Sequence, residues 1–302
     1  MLYYVQKVGV LMSNRKNAVF IILGQSNAVG HKIPMQEQDK ILLPLNNVFG
    51  LSRKDNQSFN NTNLIWSGYT SFGMNLAEEQ DNTYSVPNCL ASIWQNHIDN
   101  GNKLKLPDLY IVQIAIGAQG VREGSMWNPD RKEILIPGKL GEVDISLFPF
   151  SKHILSLLDD SFKKQNKEYE IIGLHWRGGE GEANAEQEYL FQNLESIYKK
   201  IFDDFNVILN EPPIVLHKIV CYDHVQRRDP TGGRLQKIHY INEVFSRFEK
   251  NYGNVTIFDP TKAPQYDPNI FGNGIFIEDA IHFTPEVNNW VAKCIFEKYC
   301  DN

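Results

Sequence analysis

A doubly wound α/β fold, with about five mainly parallel strands and helices on both faces of the sheet, is what the amino-acid sequence predicts. Two observations carry this expectation. Apolar runs rich in β-branched residues recur at 19–23, 109–116, 171–176, 214–222 and 255–258, and uninterrupted runs of that length suit strands buried on both faces. The segments 153–164, 186–209, 235–252 and 285–299 place apolar residues at three-to-four spacing, the pattern of helices laid on a sheet.

Each element has local support. Gly24 follows the first run and permits a tight exit from a strand. Pro285 suits a first helical position, where its missing N–H has no intrahelical partner, and Thr284 before it is a natural cap. The stretch from about 31 to 88 is less regular, with an Asn-rich segment at 56–63 and a turn-rich Trp66-Ser67-Gly68-Tyr69. It reads as an insertion of loops with a short helix, in a chain that otherwise forms a single domain over 1–302. In such folds ligands gather beyond the carboxyl ends of the strands.

Composition narrows the function. Of 302 residues, 42% are hydrophobic and 22% charged, with a net charge of -6, which supports a substantial core and offers no basic surface for nucleic acid or anionic lipid. Arg227, Arg228 and Arg234 are interrupted by Asp229, Pro230 and two glycines and read as a solvated turn. Cys89, Cys221, Cys294 and Cys300 show no CxxC spacing, so neither a structural metal nor a disulfide framework is expected. No apolar stretch reads as a membrane span or a leader peptide. The expectation is a soluble protein, cytoplasmic by default with secretion open, and of undefined oligomeric state.

The chemistry concentrates at strand ends. Gly24-Gln25-Ser26-Asn27 places Ser26 where a nucleophile meets substrate, and serine needs a base oriented by a third group. Asp279-Ala280-Ile281-His282 supplies an acid and an imidazole on one loop ahead of the last helix. Taken singly, each has an ordinary reading: a turn serine, a solvated aspartate, a surface histidine. His224 also follows a predicted strand and ranks below His282, while His175 and His217 lie inside apolar runs and read as core residues.

Taken together, GQSN after the first strand, Ile116-Gly117-Ala118-Gln119-Gly120 after the second, Trp176-Arg177-Gly178-Gly179-Glu180 after the third, and DxxH before the last helix form an ordered set. The set resembles the SGNH hydrolases of the carbohydrate esterase and sialate O-acetylesterase group, over nearly the whole chain. The resemblance implies an SGNH (flavodoxin-like) architecture, Ser26 as nucleophile, His282 as base and Asp279 as its orienting acid. It further implies an oxyanion hole from the N–H groups of Ser26 and of Gly117 or Ala118. Gln25, Asn27, Arg177, Glu180 and Trp127 become candidates for substrate contact or support, with Glu180 better placed to hold loops than to react. Glu182 and Asn184 suit either a sugar hydroxyl or a helix cap. No metal or organic cofactor is implied.

Two departures stand out. Ala118 replaces the second glycine of the family's Gly-Gly, and Gly178 replaces the glutamine of its Trp-x-Gln-Gly-Glu, whose amide is an oxyanion donor. Loss of one such donor costs on the order of 10²- to 10³-fold in turnover. Gln119 is the first candidate to compensate, ahead of Arg177, which is expected to alternate away from the site along its strand. The implied activity is removal of O-acetyl groups from a carbohydrate, with Trp66, Tyr69, Phe72 and Trp127 as candidate sugar-stacking rings. Arg122 and Arg177 leave an anionic glycan open. The alternatives are a lipase or thioesterase on the same scaffold, and a carbohydrate-binding homologue with weakened catalysis.

Overall fold

A computed structural model describes residues 16–77, 83–101, 106–131, 146–184, 187–220 and 233–300. Its centre is β1 (Asn17–Gly24), whose side chains alternate between two buried faces. Val19, Ile21 and Leu23 join one apolar cluster, and Ala18, Phe20 and Ile22 join the other. This two-sided burial is why the run carries no polar alternation.

Beyond β1 the sheet comprises β2 (Val48–Leu51), β3 (Trp66–Gly68), β4 (Leu109–Ala115), β5 (Tyr169–Arg177), β6 (Ile214–His217) and β7 (Val255–Phe258). Their order is β3-β2-β4-β1-β5-β6-β7, and every pairing is parallel except that of β2 with β3. The first cluster is closed by α4 (Leu147–Ser156), α6 (Gln187–Leu209) and α7 (Gly233–Asn251), through residues such as Phe150, Phe202 and Phe245. The second is closed by α3 (Val86–Asp99) and α8 (Pro285–Cys300), through Trp94, Val287 and Val291. Short helices α1 (Ser26–Val29), α2 (Arg53–Asn56) and α5 (Leu158–Lys164) complete the described set.

Several expectations are corrected. The sheet has seven strands rather than about five, because the 31–88 stretch supplies β2 and β3. Those strands extend the β4 edge, so this stretch is part of the sheet and not loops alone. The helix expected over 153–164 begins at Leu147 and breaks at Leu157, whose ψ of -7° separates α4 from α5. The fourth strand ends at His217, well before Tyr222. Thr284 does cap α8, its hydroxyl accepting from Val287 N–H at 3.4 Å. Cys221, His224, Arg227 and Arg228 lie outside the described residues.

The topology decides where the motifs meet. β1 lies between β4 and β5, with Gly24 opposite both Ala115 and Arg177. The turns that follow these three strands therefore emerge side by side at one edge of the sheet, where the strand order reverses around β1.

Candidate active site

Gly24 ends β1 with a φ of +143°, and a Cβ on it would lie 2.1 Å from the Arg177 carbonyl oxygen. Only glycine fits there. Its own carbonyl accepts from the Trp127 indole N–H at 2.9 Å, and Gln25 N–H donates to Arg177 O at 3.0 Å. The chain then turns into α1 with half-buried Ser26 as its first residue.

The Asp279–His282 loop is fixed by one carboxylate. Asp279 Oδ1 accepts from the N–H groups of Ile281 and His282, each at 3.0 Å, and Oδ2 accepts from His282 Nδ1 at 2.6 Å. Lys32 Nζ approaches Oδ2 at 3.3 Å. Burial pushes the Asp279 carboxyl up, but the hydrogen bonds from His282 and Ile281 outweigh it and hold the group below the usual carboxylate range. With Nδ1 bonded to a carboxylate, the neutral ring carries its proton there and leaves Nε2 as a base.

Asn27 joins this loop to the serine turn. Its amide donates to Glu180 Oε1 at 2.9 Å and to Ile281 O at 3.2 Å, while its Oδ1 accepts from Phe283 N–H at 3.2 Å. The residue after Ser26 thus clamps both neighbours of His282. The His31 ring, one turn beyond Ser26, lies 5.3 Å from the His282 ring. Among the described residues no hydrogen bond joins the Ser26 hydroxyl to His282 itself, whose ring bonds to Asp279.

The turn after β4 is held from behind. Trp127 N–H donates to Gly120 O at 3.1 Å, Asn128 Nδ2 to Val121 O at 2.8 Å, and Val121 N–H to Glu182 Oε1 at 2.5 Å. Half-buried Gln119 accepts from Met126 N–H at 3.3 Å. Ala118 is exposed and left-handed, with a φ of 60°, a conformation glycine adopts at less cost. No backbone hydrogen bond among the described residues engages the N–H of Ser26 or of Ala118.

The supporting residues fall into distinct places. Glu180 accepts from Gln25 Nε2 at 2.5 Å as well as from Asn27. Arg177 is buried, donating from Nη1 to Asn288 Oδ1 at 3.0 Å and stacking on Phe283 at 5.1 Å, so it has no face for substrate. Burial lowers its guanidinium to about 10. Trp127 is completely buried against Trp176, which removes it from sugar stacking, and Tyr69 is equally inaccessible. Trp66 donates to Ser161 and packs on Tyr110 and Phe162. Of the four candidate rings only Phe72 is exposed.

Glu182 is the first residue of a short 3-10 helix, Glu182–Asn184, and its carboxylate turns inward rather than to the start of α6. It is completely buried behind the Gly120 turn, where its Oε1 accepts from Val121 N–H. Lys32 and His31 are also additions to the expected set, and nothing in the sequence marked them. His175 and His217 are core residues, joined Nδ1 to Nε2 at 2.9 Å, and His217 Nδ1 has no hydrogen-bond partner. Burial lowers His175 to about 3. No group of three or more His, Cys, Asp or Glu among the described residues is placed to hold a metal ion, and no described helix is long and apolar enough to cross a membrane.

Comparison with known proteins supports the fold. A solved Arabidopsis thaliana protein aligns over 95% of this chain and 99% of its own at a TM-score of 0.55 and 16% identity. The structure of NanS aligns over the same shares at a TM-score of 0.56 and 14% identity. No family model and no curated protein matches the sequence.

Proposed function

We propose that the chain is a serine hydrolase of SGNH type, one doubly wound unit over 1–302, that removes O-acetyl groups from a carbohydrate. The observation that carries the reading is the Asn27 clamp, which brings the neighbour of a half-buried serine onto both neighbours of a histidine already bonded to a carboxylate. Such an assembly is more than a cap or a solvated loop requires. The ordered motif resemblance supports it, as does the fold shared with NanS.

In this mechanism His282 Nε2 accepts the Ser26 hydroxyl proton as Oγ attacks the acetyl carbonyl. The oxyanion is met by the N–H groups of Ser26 and of Gly117 or Ala118. His282 returns the proton to the departing sugar oxygen, leaving an acetyl-serine. Water then gives its proton to His282, attacks the acyl carbon and releases acetate, restoring Ser26. Each step uses the chain's own side chains and backbone.

The motif resemblance favours a carbohydrate over a long acyl chain, and an apolar groove of about 790 Å³ lies away from the site. It runs along β5 to β7 and the C-terminal half of α8, and none of residues 25–27, 117–120 or 279–282 lines it. The missing donor at Gly178 favours one second reading, a carbohydrate-binding homologue with weakened turnover. Acetate release from acetylated xylan, O-acetylated sialic acid and aryl acetates tests the proposal. Release that disappears in Ser26→Ala supports it, whereas glycan binding without release by the parent protein selects the second reading.

A further inference from the structure

Glu182 has an environment that neither a cap nor a surface contact explains. It is completely buried, its Oε1 receives Val121 N–H at 2.5 Å, and its Oε2 has no hydrogen-bond partner. Its carboxyl occupies the space a side chain on residue 120 would need, since a Cβ on Gly120 would lie 1.8 Å from Oε1. Gly120 and Val121 end the turn that begins at Gly117, and beyond this turn Asn128 and Trp127 hold the carbonyl side. The carboxylate is thus the contact that fixes the N–H side from the loop after β5.

We propose that Glu182 is a positioning residue that sets the orientation of the Gly117–Gly120 donors toward the reacting acyl group, an inference that rests on the esterase reading. Glu180 ties the same loop to Gln25 and Asn27, so two carboxylates two residues apart hold the serine turn and the donor turn in register. The ionised form of Glu182 is the stronger acceptor for Val121 N–H. Burial pushes the carboxyl up to about 7, against the lowering effect of the Val121 hydrogen bond. The charged or titratable groups around it are Glu180 on its own loop, Arg122 after β4 and Tyr198 on α6. The turn is therefore held most firmly above neutrality.

The test measures kcat and KM for an aryl acetate from pH 5 to pH 9 in the parent protein, Glu182→Gln and Glu182→Ala, with hydrogen exchange of the peptide containing 117–121 in each. Glu182→Ala is expected to lower kcat by roughly 10- to 10²-fold with KM within about two-fold, the signature of a contact that matters mainly in the transition state. Glu182→Gln, which keeps the shape and one acceptor, should show a smaller loss. The acid limb of log kcat should fall with a slope above one in the parent and of one in Glu182→Gln, because only the parent has a second ionisation besides that of the base. Exchange in 117–121 should quicken in Glu182→Ala. Limbs of identical slope, or a loss confined to KM, would overturn the proposal. If the parent protein turns over no acetyl ester, the esterase reading fails by itself, and unchanged exchange in both variants then overturns the positioning role as well.

Discussion

The two halves of the candidate site are built to different standards. In the base half, Asp279 takes four hydrogen bonds or ion contacts, and Asn27 adds clamps to Ile281 and Phe283. In the donor half, the glutamine of the resembled family is a glycine, Ala118 stands in a left-handed conformation, and Gln119 has its carbonyl engaged by Met126. Over-determined geometry resists small changes and fails when its central group is altered. Sparse geometry responds to every contact.

The largest effect should come from the base half. Under the proposed mechanism, Asp279→Asn keeps the shape but removes the charge that orients the His282 ring, and kcat for an aryl acetate should fall by roughly 10³- to 10⁴-fold, the loss expected when the acid of a serine triad is so changed. A loss under about ten-fold in steady-state assays would mean that His282 does not depend on Asp279. The halves would then be equal in kind.

Next is Gln119. If its amide N–H₂ serves the oxyanion while its carbonyl holds Met126, Gln119→Ala should lower kcat by roughly 10- to 10³-fold with little change in KM. Gly178→Gln in that background should recover part of the loss. A Cβ on residue 178 would stand 3.4 Å from the Trp176 indole and 3.6 Å from Gln25 Cγ, ordinary contacts that admit a side chain. An unchanged rate in Gln119→Ala would leave the donor half to backbone groups alone.

How much of this was legible in the sequence follows the same division. The Asp279–His282 contact was readable because its two partners lie within four residues, ahead of the last helix. The three central strands were readable because burial on both faces removes polar alternation. The short strands β2 and β3 were not, since runs of four and three residues acquire strand character only from pairing with β4 and with each other. The burial of Trp127, Arg177 and Glu182 was equally hidden, because each is decided by partners far along the chain. An isolated Trp, Arg or Glu after a strand carries no mark of whether it faces solvent.

Glu182 also makes stability depend on pH. Burial pushes its carboxyl up to about 7 in the folded protein, well above the ordinary glutamate range of an exposed side chain, so between these limits the folded state holds the proton more firmly. Stability therefore falls as pH rises through that window, by on the order of 1–3 kcal/mol for this group. Glu182→Gln removes the dependence. Relative to the parent, the variant should gain stability in urea titrations between pH 5 and pH 8, and a constant difference across that range would show that the carboxyl is not buried as described.

The smallest effect gives the finest comparison, because each half holds one left-handed alanine. Ala118 has a φ of 60° and Ala280 a φ of 58°, and an L-residue pays on the order of 1–2 kcal/mol for that conformation. Glycine relieves the strain but loses about 0.5–1 kcal/mol through greater freedom of the unfolded chain. What separates the two positions is the methyl group. That of Ala118 is exposed, whereas Ala280 is buried at 2% exposure, and each buried methyl contributes about 0.8 kcal/mol. Ala118→Gly should therefore stabilise the protein by up to ~1 kcal/mol and raise Tm by roughly 1–3 °C. Ala280→Gly should be neutral or destabilising by a similar amount. The donor turn would tolerate the change in turnover, since glycine suits its left-handed backbone, while the base loop would lose the buried methyl of Ala280. Equal Tm shifts of the same sign in the two variants would show that backbone strain alone governs both turns, and that the buried contact gives the base half no added rigidity.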